Sequence, residues 1–197
     1  MDPQLARIRV ELDEATERVR QLAAVVAKLP EGRWSQRAAD GGWSVAHCVT
    51  HLNVTTHEFL PRLDEAIRHG RDMNLVGTGP FRRDFMGWML CRFVEPPYKR
   101  KVDTPPKFDP QEVEAVDATL AKWDRLQGEL GKRIDAADGL ALNKVKVVSP
   151  FFEQMQYSLL SALMVIPAHQ RRHIWQAYNA LKGPEVKWPD DWPSASL

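Results

Sequence analysis

Apolar side chains recurring at three- and four-residue steps limit most strongly what this chain can fold into. Between Pro3 and about Leu29, the residues Ile8, Leu12, Ala15, Val19, Leu22 and Val26 share one stripe of a helix. Between Gln111 and Ile134, Val113, Val116, Leu120, Trp123, Leu126 and Leu130 face one way in the same manner. A third long apolar-periodic segment, from about Gln154 to Lys182, predicts another rod. Ser44 can accept from a free first-turn N–H, so a helix is predicted from Val45 to about His69, with Pro61 kinking it near His57 to Leu60. Phe81 to Val94 predicts a shorter, aromatic-rich helix whose buried side is Phe85, Trp88, Met89 and Phe93, although Gly87 weakens its interior.

The segments between are long. Pro30-Glu31-Gly32 ends the first helix, and Ala38-Ala39-Asp40-Gly41-Gly42 is turn chemistry. Gly70 to Pro80 is a glycine-containing loop. Glu95 to Pro110 holds Pro96, Pro97, Pro105, Pro106 and Pro110, which forbid a helix, and carries a basic tip at Lys99-Arg100-Lys101. Asp135 to Pro150 connects onward, with a short extended piece at Val145-Lys146-Val147-Val148. Gly183-Pro184 stops the last helix, glycine serving as its C-terminal cap. Without a repeat or a dividing linker, one domain over residues 1–183 is expected, followed by an irregular tail over 184–197. The fold class is all-α: a four-helix bundle with long crossover connections and one additional helix. Connections this long let helices pair out of sequence order.

A net charge of +1 gives no whole-molecule case for nucleic acid or an anionic membrane, so neither is expected as a partner. Cys48 and Cys91 lack CxxC spacing, which argues against a disulfide framework and fits a reducing compartment. The N-terminus runs straight into charged helix, so no signal peptide is expected, and no apolar run approaches the ~20 residues that span a bilayer. A cytoplasmic location is the expectation.

Chemistry concentrates in the histidines. His169 and His173, four apart in the last helix, lie on one face with Cβ atoms roughly 6 Å apart. In the second helix His47, His51, Thr55 and Glu58 form a polar stripe, whereas His57 points about 120° away. If the two stripes face each other, up to four imidazoles converge, a donor set suited to zinc, nickel, copper or iron. Three histidines would leave an open position for water or a substrate atom; four would close the site. The bland alternatives are equally physical. An HxxxH pair is often a solvated surface feature, His47 a first-turn polar residue, and Glu58 a surface carboxylate. Arg171 and Arg172 read as ion-pair formers, and Cys48 as a small buried hydrophobe.

Two motifs resemble the DinB-like superfamily, the DinB/YfiT-type metalloenzymes: Trp43-Ser44 leading to His51-Leu52, and His169-x-x-Arg172-His173-x-x-Gln176. The likeness covers roughly residues 5 to 182. It implies a four-helix bundle of non-sequential helix order and one divalent metal, zinc or nickel, held by His51, His169 and His173. Position 47 is commonly Gln or Glu in similar sequences, and here it is His. The resemblance also implies homodimers, and for some relatives a thiol-dependent transferase or isomerase reaction using bacillithiol or mycothiol.

The expected function is therefore a metal-dependent enzyme in which three histidines hold a metal that activates water or a low-molecular-weight thiol toward a small-molecule substrate. Hydrolysis or S-transfer would follow, with His47 or Glu58 as proton carrier. Arg172 and Gln176 could orient a substrate anion or the second nitrogen of a ligand. The competing expectation is a non-catalytic metal- or small-ligand-binding bundle of a stress response, its site closed by His47.

Overall fold

The structure, a computed structural model, describes residues 1–96, 104–183 and 185–188. The Lys99-Arg100-Lys101 tip, Pro184 and the tail from residue 189 lie outside the described residues. Among the described residues five α-helices carry the fold: α1 (Pro3–Val26), α2 (Val45–Asp72), α3 (Phe85–Val94), α4 (Val116–Ala136) and α5 (Leu159–Leu181). Two three-residue strands, β1 (Lys146–Val148) and β2 (Gln156–Ser158), pair antiparallel with Val147 opposite Tyr157. The architecture is the all-α bundle with one additional helix.

Packing explains the long connections. Both α1 and α2 pack chiefly against α4 and α5 rather than against each other. Chain neighbours α1 and α2 thus sit across the bundle, and so do α4 and α5. Each connection must cross an end of the bundle to reach the far corner. The predicted α1 stripe is buried throughout. Asp2 caps this helix by accepting from Gln4 N–H at 2.7 Å, with Pro3 at its first position. Ser44 caps α2 as expected, accepting from His47 N–H at 3.2 Å. The helix then continues through Pro61 to Asp72, beyond the predicted end at His69.

Other boundaries move for local reasons. The last helix begins at Leu159 rather than near Gln154, because Gln156–Ser158 pair with β1 and Ser158 then caps α5 through Ser161 N–H. Its end is closed by Lys182, not by Gly183. The fourth helix begins at Val116 rather than Gln111. Just before it, the Glu114 carbonyl accepts from the Trp34 indole at 3.1 Å, tying the first connection to the third.

The third helix reverses the expected face. Phe85, Trp88, Met89 and Phe93 are 72, 49, 38 and 53 % exposed, while Gly87 and Cys91 are its buried residues. The reason is close approach to α5. A Cβ on Gly87 would fall inside the Ser161 side chain, so only glycine lets the two backbones meet there. Asp84 fixes the junction. Its carboxylate accepts from Gly87 N–H at 2.8 Å, from the Ser161 hydroxyl at 3.3 Å and from Ser158 N–H. With the small face docked, the aromatic face is left in solvent.

The core divides in two. One apolar cluster holds Leu5 to Leu12 of α1, Phe59 to Ile67 of α2 and Leu159 to Ile166 of α5. The other holds Ala15 to Val26 of α1, Val45 to Leu52 of α2 and Ile174 to Leu181 of α5. Buried polar residues stand between them along the chain: His51, Asn53, Thr55 and Thr56 on α2, and His169, Gln170 and His173 on α5. Gln127 of α4 joins the belt, accepting from Gln170 Nε2 at 3.0 Å.

Gly87→Ala tests the α3 junction. The added methyl should cost about 1–3 kcal/mol of unfolding free energy by chemical denaturation, the range for overpacking a close contact. An unchanged midpoint would contradict the close α3–α5 approach.

Candidate metal centre

The histidine stripes of α2 and α5 face each other across this polar belt. His51, His169 and His173 are all buried, and one ring nitrogen from each lies within 4.8 Å of the others. His51 Nε2 is 3.3 Å from His169 Nε2, which is 3.1 Å from His173 Nε2.

The outer nitrogens decide what those inner atoms can do. His51 Nδ1 is 2.7 Å from the Phe108 carbonyl, which can only accept, so Nδ1 carries the proton and Nε2 a lone pair. His173 Nδ1 is 3.0 Å from Gln176 Oε1, an arrangement that fixes the same tautomer. His169 Nε2 can donate to one of the two rings at most. The remaining contact sets lone pairs face to face, which a shared cation relieves. Bonds of 2.0–2.1 Å in a tetrahedral zinc site put ligand nitrogens about 3.3 Å apart, and the observed separations fit.

Burial is also the main influence on the ring acidities. It lowers His51 to about 4, against opposing pulls from the Phe108 carbonyl and Asp109 and a further lowering by Arg172. His169 and His173 are held well below the ordinary range, first by burial and then by His51 and Arg172, with His169 also lowering His173. Neutral imidazole is the form that binds metal. Trp43 shields the rings: its centroid lies 4.9 Å from His51 and 5.5 Å from His173, stacked on the latter.

A cavity of about 510 Å³ opens beside the three rings. Its walls come from α3 (Leu90, Phe93, Val94), the β1–β2 connection (Phe151, Phe152) and α5 (Val165), with Asp109, Arg172 and Gln176 nearer the histidines in sequence or by contact. Arg172 donates to the Phe93 carbonyl at 3.4 Å. Arg171 pairs with Glu95 at 2.6 Å and Glu11 at 3.0 Å, tying α5 to α1 and to the end of α3.

The other sequence candidates lie apart from the three nitrogens. His47 is buried in the first turn of α2, its Nδ1 2.7 Å from Ser44 Oγ. Burial lowers its pKa, helped by Arg37 and opposed by Asp109. Glu58 is engaged by Lys107 at 2.5 Å. Neither residue lines the cavity. His57 is exposed, as its helical position predicts. Cys48 is fully buried, and burial pushes its thiol pKa upward. Gln176 does take the second nitrogen of a histidine. Sequence reasoning missed the Phe108 carbonyl, 57 residues from His51 and within a proline-rich run. It also missed Phe151 and Phe152, in a stretch too short and irregular to carry periodicity.

Comparison with known proteins gives one finding of family: the DinB superfamily matches residues 11–177. No curated protein and no solved structure matches the chain.

The depressed histidine acidities make the metal-free protein acid-sensitive. His51 ionises near 6.5 when unfolded and near 4 when folded, so between these values the unfolded chain binds the extra proton. Stability is complete above about pH 6.5 and drains as pH falls toward 4, by up to about 1.4 kcal/mol per pH unit for each such histidine. Chelator-treated protein followed by denaturation at pH 7.5 and 5 should show the loss. Equal stability at the two values would contradict the buried, neutral rings.

Proposed function

This chain belongs to the DinB superfamily, and from that premise we propose that His51, His169 and His173 hold one divalent transition-metal ion, zinc or nickel, at the centre of a metal-dependent enzyme. The observation that carries the reading is the meeting of three buried Nε2 atoms, two with lone pairs fixed by their Nδ1 hydrogen bonds, at the wall of a cavity. A bound ion would supply Lewis acidity, making a water or a thiol nucleophilic near neutral pH. The reaction class is hydrolysis or thiol-dependent S-transfer on a small-molecule substrate, with a low-molecular-weight thiol as co-substrate in the second case.

The chain's own groups prepare that chemistry. The Phe108 carbonyl and Gln176 hold two rings in the ligating tautomer. Trp43 keeps bulk water from the ring faces. The cavity admits the substrate on the open side. Proton transfer by His47 or Glu58 would need a conformational change, since neither reaches the cavity while bound to Ser44 and Lys107. A non-catalytic, closed site would call on His47 as fourth ligand. The Ser44 bond and the position of His47 outside the three-nitrogen group favour the open, catalytic reading. A cytoplasmic homodimer completes the proposal.

Elemental analysis of protein purified without a histidine tag is expected to give about one zinc or nickel per chain. His169→Ala should abolish that uptake while keeping helix content by circular dichroism, and Gln176→Ala should weaken it about 10- to 100-fold. Protein that refuses both metals would overturn the reading. Turnover of an electrophile with and without added thiol separates the two reaction classes.

A further inference from the structure

The walls of the cavity say more about its occupant than the histidines do. Large apolar side chains line it, and two of them, Phe93 and Phe152, are also 53 and 56 % exposed. Phe93 comes from α3 and Phe152 from the loop between the strands, so separate elements present aromatic surface to one space. Phe151 continues the aromatic wall inward, its ring edge-on to His169 at 5.7 Å and tilted against Phe108 at 4.8 Å. Such a wall gains by covering apolar surface, at roughly 25 cal/mol per Å².

Charged side chains share the same lining. Arg172 is the one cation among the described lining residues, and its charge acts on all three histidines. Asp109 is the one carboxylate among those described residues, and Gln111 donates to it at 3.2 Å. The cavity thus sets an aromatic wall beside a guanidinium, which donates to the Phe93 carbonyl at 3.4 Å, and its volume suits a small molecule.

We propose that this cavity takes a small organic acid with an aromatic or branched apolar body, the body lying against Phe93, Phe151 and Phe152 and the carboxylate directed toward Arg172 and the histidine nitrogens. The histidine end rests on the metal-site reading; the apolar wall and Arg172 do not. The acid is held by two separable contributions, one scaling with apolar length and one with negative charge. Arg172 is a specificity-determining residue for the charged end, and Phe152 for the body.

Calorimetric titration with ω-phenylalkanoates, from benzoate to 6-phenylhexanoate, tests both parts on zinc-loaded and chelator-treated protein. Affinity should rise up to about fourfold per methylene while the wall is being covered. The corresponding neutral amides should bind at least about tenfold more weakly. Arg172→Gln should remove the preference for acid over amide and leave amide binding unchanged. Phe152→Ala, at an exposed position that does not threaten folding, should weaken acid and amide by a similar factor. A flat series, or an acid preference that survives Arg172→Gln in chelator-treated protein, would overturn the proposal. Failure of the metal reading looks different: no zinc uptake, with the chain-length and Arg172 effects intact. Zinc uptake without binding of any acid in the series sinks this proposal alone.

Discussion

Three neutral imidazoles meeting edge to edge in the middle of a bundle is the arrangement to which the rest of the molecule answers. Their Nε2 atoms approach within 3.1 and 3.3 Å, too close for three lone-pair acceptors unless protons or a cation lie between them. Hydrogen bonding alone cannot satisfy the group, because His51 and His173 already spend their ring protons on Phe108 and Gln176. Buried polar atoms without partners are costly. A core built only for stability would gain by replacing them with apolar side chains of similar volume. The chain instead divides its hydrophobic core to house them.

The fold supplies what the group requires. Crossing connections put α2 and α5 side by side although about 90 residues separate them in the chain. The turn at Pro106–Phe108 brings the carbonyl that fixes His51. Arg171, next to the ligand helix face, fastens α5 to Glu11 and Glu95, and Asp84 fastens the start of α3 to Ser158 and Ser161. Helix α3 is thereby held along α5 at both ends and forms one wall of the cavity. Its exposed aromatic face follows from the glycine contact that docks it.

Much of this was legible from the residues. The α1 stripe, the Ser44 cap and the shared face of His169 and His173 depend on local spacing, and local spacing is what a sequence displays. The resemblance through Trp43-Ser44, His51 and His169-x-x-Arg172-His173 chose among the histidines where periodicity left His47 open. What stayed hidden depends on contacts between distant segments. Helix α3 is apolar on both sides, so its pattern cannot say which side docks; Ser161 decides, and only once α5 is in place. Strand β2 is three residues long and reads as the start of the following helix until β1 pairs with it. Lys107 takes Glu58 from 49 residues away, which no helical wheel of α2 displays.

X-ray absorption at the zinc edge of the zinc-loaded protein bears most directly on the central claim. The account requires imidazole scattering from three rings with nitrogens at about 2.0 Å, reduced by one ring on substitution of His51 and with no sulfur contribution from Cys48. A spectrum fitted by two imidazoles or fewer, or by a sulfur ligand, would contradict it.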